Sequence, residues 1–393
     1  KWGIFYLGGT SIACIVLLCT ESMGRKRPLL VSLLLTASGL VLAIFTSDLE
    51  IPMISFIFLF GISSTITYVV LFVNALESLP YKLRLPFALF FFTARRVSRS
   101  LMNLLALLTH GSLHSLLICE RLLFLRLIFD LSRYIDETAA HLLLQEKMYE
   151  LELLFDKIGK DSDLFPHRSS QQMADELGFR EEGDIDMTTK EYSKKVFTSN
   201  AVLYIANVVL LVSVVVACVP IVSKRFHLMG IDSTFTSFSF SLFSIPILVA
   251  LVMCSNRNRF QALTSIELGD GISMLALWSF TEGEVTVCSD STVYTGVLWW
   301  MELVVLVVTE AFSMAVYVIG SVTMVEVVPT RVRTFTVALL YTSSAACAGM
   351  VEKIIRMNKV SRFTMEMPIA SSMFLAFALL STLSYSAPAR MVR

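Results

Sequence analysis

Charge is what this chain has least of. Only 16% of its 393 residues are Asp, Glu, Lys or Arg, against about 25% in soluble domains, and a soluble globular fold is excluded on that ground. Acidic and basic residues balance at 32 each, which by itself says nothing about nucleic acid or acidic partners; no nucleic-acid partner is expected. Catalytic signatures are missing as well. There is no nucleophile elbow, no Walker loop and no H-E-x-x-H, so neither an enzyme nor a cofactor is expected. Histidines number five; His110 and His114 have the i, i+4 spacing of metal ligands, with Cys119-Glu120 beyond. No third ligand is placed beside them; they read as solvated loop histidines, and no metal site is expected. The seven cysteines fall mostly inside apolar runs, where thiols serve as small buried hydrophobes. The chain opens on Lys1 without a basic n-region and cleavage site, so its first apolar run reads as a true span in a chain that starts mid-protein.

What is present is hydrocarbon. Hydrophobic residues make up 55% of the chain and mean hydropathy is +0.71. Apolar runs occur at about 3–20, 29–46, 53–75, 86–108, 113–129, 197–219, 236–254, 262–280, 293–325, 335–351 and 368–387. Eleven runs of this length predict an all-α polytopic membrane protein. The 293–325 run exceeds bilayer thickness and must tilt or project. Residues 131–196 are polar, with an amphipathic pattern from Tyr134 to Ile158 marked by Leu142, Leu143, Met148, Leu151 and Leu154. The segments are therefore 1–130 with five spans, 131–196 as a central segment, and 197–393 with six. Lys and Arg concentrate in alternate short loops. By the positive-inside rule the central segment and the C-terminus are cytosolic, although Lys224-Arg225 and the 352–366 loop run against the pattern.

Two hinges between apolar runs share one spelling. Glu77-Ser-Leu-Pro80-Tyr-Lys82-Leu-Arg84 and Glu326-Val-Val-Pro329-Thr-Arg331-Val-Arg333 both read Glu-x-x-Pro-x-x-x-Arg. A weaker echo pairs Gly24-Arg25-Lys26-Arg27 with Asn256-Arg257-Asn258-Arg259. Hinges recurring in the same order predict two copies of one membrane unit arranged as parallel repeats, as in the halves of a major facilitator protein.

On these motifs the chain resembles the organic cation/anion transporter family of the major facilitator superfamily, over nearly its whole length. Glu326–Arg333 is similar to the family's entry to its eleventh helix, matching Glu, Pro, Thr and Arg. Asp130-Leu-Ser-Arg133-Tyr134 resembles its E-S-P-R-W motif, with Asp for Glu, Ser for Pro and Tyr for Trp. Glu77 and Arg84 match its Glu…Arg pair, and Glu21-Ser-Met-Gly24-Arg25-Lys26 its loop after the second helix. The resemblance implies a major facilitator fold whose helices here correspond to the second through twelfth of twelve. It also implies a carrier of small organic ions, working as a monomer in the plasma membrane by alternating access.

The substrate positions depart from that family. Its charged position in the eleventh helix is Ala345, its paired tyrosines are Val216 and Ala217, and those before the hinge are Ser321 and Thr323. The family's eighth-helix Glu is Ser244, with Pro246 kept. A different solute, or a carrier that no longer transports and serves as a partner or receptor, is the alternative.

Physically, charged groups at cytosolic helix ends can lock and release a rocking bundle. Glu21, Gly24, Arg25, Lys26, Glu77, Arg84, Asp130 and Arg133 are expected to form one half of such a network, with Arg257, Glu326 and Arg333 as its counterpart. Positive-inside anchoring is the plainer reading of the same residues. Within a membrane run, Arg95, Arg96 and Arg99 are costly groups. They either line a solute path with Ser244 and Ala345, favouring an anion, or snorkel to the interface. Glu120, Arg121 and Arg126 are expected to pair with each other or with Arg96.

Overall fold

The structure is a computed structural model. It describes residues 2–20, 24–45, 50–108, 136–145, 147, 149–154, 199, 202–210, 233–255, 259–282, 296–330 and 332–357. The apolar runs at 113–129 and 368–387 lie outside the described residues, as does much of 197–219. The helices are α1 (Trp2–Thr20), α2 (Lys26–Phe45), α3 (Glu50–Ser78), α4 (Tyr81–Leu108), α5 (Ala139–Leu144), α6 (Ser233–Cys254), α7 (Arg259–Glu282), α8 (Gly296–Val327) and α9 (Arg333–Met357). Residues 149–154 and 202–210 are helical too.

Each long described helix overlaps a predicted run. Helices α3, α7 and α9 extend past both ends of theirs, because backbone hydrogen bonding continues where hydrophobicity stops, whereas α2 stops one residue short and α8 starts three residues into its run. Proline sets the breaks. Pro80 and Pro329 have no N–H to extend α3 and α8, so those helices end at Ser78 and Val327. Each proline carbonyl then opens the next helical turn, accepting from Leu83 N at 2.9 Å and Val332 N at 3.2 Å. Ile54–Ser78 and Leu303–Val327 are apolar helices of 25 residues each, about 37 Å long, enough to cross a hydrocarbon core of about 30 Å.

Contacts divide the chain into two units. The first comprises Lys1–Ala88, Thr109–Leu203 and Met324–Ser343; the second comprises Leu89–Leu108, Tyr204–Thr323 and Ser344–Arg393. Each therefore draws on both halves of the sequence.

In the first unit α1 and α2 pack on α3. A Cβ on Gly61 would stand 2.5 Å from the Tyr6 carbonyl oxygen, and one on Gly9 would overlap the Phe58 carbonyl. Small residues here let two backbones touch, the usual device where no hydrophobic effect drives helices together. Hydroxyls complete the contact: Ser32 Oγ lies 2.8 Å from Thr67 Oγ1 and Tyr6 Oη 3.3 Å from Ser64 Oγ. The Cys14 thiol meets Thr342 Oγ1 of α9 at 2.9 Å. The amphipathic pattern of the central segment folds as two short pieces rather than one helix, with Lys147 N bonded to Leu142 O at the break. Its apolar residues still converge, Leu142 and Leu151 being buried against Ala139 and Leu154.

In the second unit α8 is the buried helix, with Leu306, Ala311, Ala315 and Ile319 inaccessible. Phe92 meets the Tyr317 ring edge-on at 5.9 Å. By contrast Phe90 is 69% exposed and Phe243 61%. Such surface is unfavourable in water but compatible with lipid, where backbone groups must be satisfied inside each helix.

Candidate functional site: a charged cluster and an intramembrane pair

The twin hinges have the same local geometry. Arg84 Nε donates to Leu79 O and Arg333 Nε to Val328 O, each five residues back and each at 3.0 Å. The pairing is crossed: Arg333 Nη1 reaches Glu77 Oε1 at 2.9 Å, while Arg84 Nη1 lies 4.0 Å from Glu326 Oε1. Both pairs lie in the first unit and join residues far apart in sequence.

Glu77 is the hub. Its side chain is fully buried and also receives Arg25 Nη2 at 3.5 Å and Thr138 Oγ1 at 3.0 Å. Arg25, only 2% exposed, donates in turn to the Thr330 carbonyl at 2.9 Å. Gly24 explains how the chain enters this site. Its φ of 94° lies in the left-handed region, which glycine adopts freely. A Cβ there would stand 2.7 Å from the Glu137 carboxylate. Glu137 instead caps the start of α2, accepting from Arg25 N and, at 3.1 Å, from Lys26 N, where the helix dipole favours an anion. Lys26 Nζ lies 3.7 Å from Asp136.

Glu137 and Thr138 lie outside the expected network, and nothing local marks them: Glu137 meets α2 from more than a hundred positions away. Thr330 belongs to the second hinge, but its carbonyl as a partner of Arg25 has no sequence signal. Of the expected network, Glu21, Asp130, Arg133 and Arg257 lie outside the described residues, as do His110, His114, Glu120, Arg121 and Arg126.

His141 lines a cavity of about 520 Å³ with Lys26, Arg27, Glu137 and Lys147, and is itself buried. Burial, then the Arg25 charge, push its pKa below the ordinary 6.5; Glu137 and Glu77 act in the opposite direction and Lys147 adds to the lowering. The unfolded chain thus takes up this proton more readily than the folded one. The resulting penalty on the fold is absent above about pH 6.5 and grows as pH falls towards the lowered value. The melting midpoint of the wild type should drop more steeply than that of His141→Gln between about pH 7 and pH 5.5. Parallel curves would remove His141 from the cluster's titration.

In the second unit Arg96 of α4 is not a free cation. It forms an ion pair with Glu310 of α8 and donates to Ser244 Oγ at 3.3 Å. Both charged side chains are mostly buried, at 13% and 14% exposure. Arg95 is exposed and Ala345 half-buried; the Arg99 side chain lies outside the described residues. Glu310 was legible in principle, since a carboxylate in the middle of an apolar run needs a partner.

No family model matches the sequence, and no curated protein matches it either. Solved structures do. The proton:xylose symporter XylE bound to 6-bromo-6-deoxy-D-glucose superposes with a TM-score of 0.74 at 15% identity, covering 97% of this chain and 83% of that one. XylE from E. coli in its inward open conformation gives 0.62 at 14% identity, covering 98% and 86%. The human organic anion transporter MFSD10 gives 0.62 at 11% identity, covering 97% and 82%. The chain is an all-helical, multi-pass membrane protein with the major facilitator fold.

Proposed function

We propose that the protein is a carrier of small organic solutes, organic ions in particular, that works by alternating access and is similar to the organic cation/anion transporters. The observation that carries this reading is the crossed pairing of Glu77 with Arg333 and Arg84 with Glu326. It ties residues of segment 1–130 to residues of segment 197–393, the two bundles of the proposed carrier. Rocking of one bundle against the other would have to break both pairs. In this reading the hinges, the central segment and the C-terminus are cytosolic, the protein works as a monomer in the plasma membrane, and Arg25, Lys26, Gly24 and Glu137 hold the closed rim together. The likeness to an organic anion transporter supports an anionic solute. A sugar carrier's likeness keeps neutral solutes in the screen.

A second reading has its own observation. Ala345 and Ser244 stand where the resembled family keeps charged groups, and Arg96, expected to line a solute path, is already paired with Glu310. A carrier-like protein that no longer transports accounts for those features.

Uptake of labelled organic anions, cations and sugars into proteoliposomes decides between them. Activity with any of them should fall sharply in Glu326→Arg, which sets two arginines face to face, and recover in the swap Arg84→Glu with Glu326→Arg. Uptake by none of the solutes from correctly folded protein would favour the non-transporting reading. Full activity in Glu326→Arg would remove the lock.

A further inference from the structure

Two further intramembrane carboxylates, Glu267 and Asp270, take no part in the charge networks above. They lie three residues apart on α7, hence on neighbouring positions of one helix face, and both are completely buried. Neither forms an ion pair among the described residues. Hydroxyls face them instead. Ser313 Oγ of α8 lies 3.0 Å from both Asp270 Oδ1 and Oδ2. Beside it Thr309 Oγ1 donates to Ser273 Oγ at 3.0 Å. The Tyr204 hydroxyl, 3.0 Å from Thr264 Oγ1, is the polar group that bears on Glu267, yet neither Glu267 oxygen receives a well-formed hydrogen bond. Among the described residues, the charged group acting on Asp270 is Glu267, three positions away on the same helix. Glu310 of α8 is engaged with Arg96.

Two adjacent negative charges without a counter-charge are costly in such surroundings, more so than hydroxyl dipoles offset. Counting hydrogens leads to the same place. A serine hydroxyl has one hydrogen, so Ser313 can satisfy one Asp270 oxygen. The second 3.0 Å contact is satisfied when the carboxyl carries a proton and donates back to Ser313.

We propose that Glu267 and Asp270 form a proton-binding site built into the packing of α7 on α8. Asp270 holds the proton against Ser313, and Glu267 is the second acceptor that lets it leave. On uptake, a hydronium ion gives up a proton, an O–H bond forms on a carboxylate oxygen and one negative charge disappears; release reverses this. A metal ion is the weaker occupant. It would need several converging oxygen ligands, and among the described residues no three His, Cys, Asp or Glu side chains converge on one point. That this proton drives solute movement rests on the carrier reading; its binding does not.

Infrared difference spectra of the purified full chain in lipid, titrated from acid to alkaline pH, test the site without any solute. A failed solute screen and a failed proton site are therefore told apart. The expected result is a protonated-carboxyl band that persists at neutral pH, disappears in Asp270→Asn and shifts in Ser313→Ala. Glu267→Gln, which keeps the size of the side chain, should move the titration of the same band, so the test survives misfolding of the Asp270 variant. A neutral-pH band absent from the wild type, or unchanged in every variant, would overturn the proposal. So would sodium-dependent thermal stabilisation that Asp270→Asn abolishes.

Discussion

Replacing Glu77 by Ala should destabilise the protein more than any other single change in the charged cluster. The carboxylate is the shared partner of Arg25 and Arg333 and accepts from Thr138 as well. Removing it takes a buried carboxylate partner from Arg25, at 2% exposure, and takes the 2.9 Å partner from Arg333. Breaking a buried pair by deleting one partner costs about 3–5 kcal/mol, because the survivor stays buried and charged. Glu77→Gln keeps the shape and one acceptor oxygen, so its cost should fall between those of wild type and Glu77→Ala. Arg333→Ala should cost less than Glu77→Ala, since Arg333 is partly exposed and Arg25 still neutralises Glu77. Thermal melts of the three variants in one detergent give the order directly. If Glu77→Ala melts with the wild type, the cluster is a set of independent surface charges and its role as a lock is lost.

The hinges could be read from sequence because their information is local. Glu-x-x-Pro-x-x-x-Arg encodes a helix end, a stop and a basic helix start within eight residues, and the structure gives both copies the same Nε bond at the same offset. What the sequence did not disclose is which glutamate faces which arginine. That depends on how distant segments pack, and the crossed pairing has no one-dimensional trace. Glu137 is the plainest case: an acidic residue in a polar stretch looks like solvated charge until α2 presents two free N–H groups to it. The apolar runs were visible because desolvation acts on every residue of a span. Their ends were less so, because α4 begins before its apolar run and α8 continues past its own, which brings Arg84 and Glu326 into reach. The same rule that marked Arg96 as costly applied equally to Glu310, Glu267 and Asp270. Applied to carboxylates as strictly as to arginines, it would have indicated that acids in apolar runs need either a cation or a proton.

If the protein is the carrier proposed above, the second large effect should come from the Arg96–Glu310 pair, and its sign would report the charge of the solute. Arg96 sits twelve residues along α4 from Arg84, and Glu310 is its standing counter-ion. An anionic solute that binds Arg96 must first displace Glu310. A charge-assisted hydrogen bond is worth about 1.5–3 kcal/mol. Glu310→Gln should therefore raise the affinity for an anion by about tenfold to a hundredfold, while Arg96→Gln should abolish its uptake. For a cationic solute the two substitutions exchange roles, since Glu310 becomes the binding group and Arg96 the competitor. Competition binding to the two variants in proteoliposomes separates these cases, and Ser244→Ala, which removes only the 3.3 Å contact to Arg96, should shift affinity in the same direction as Arg96→Gln but by less. Equal loss of folded protein in both charge variants, with unchanged affinity in what remains, would make the pair a brace between α4 and α8 rather than part of a solute path.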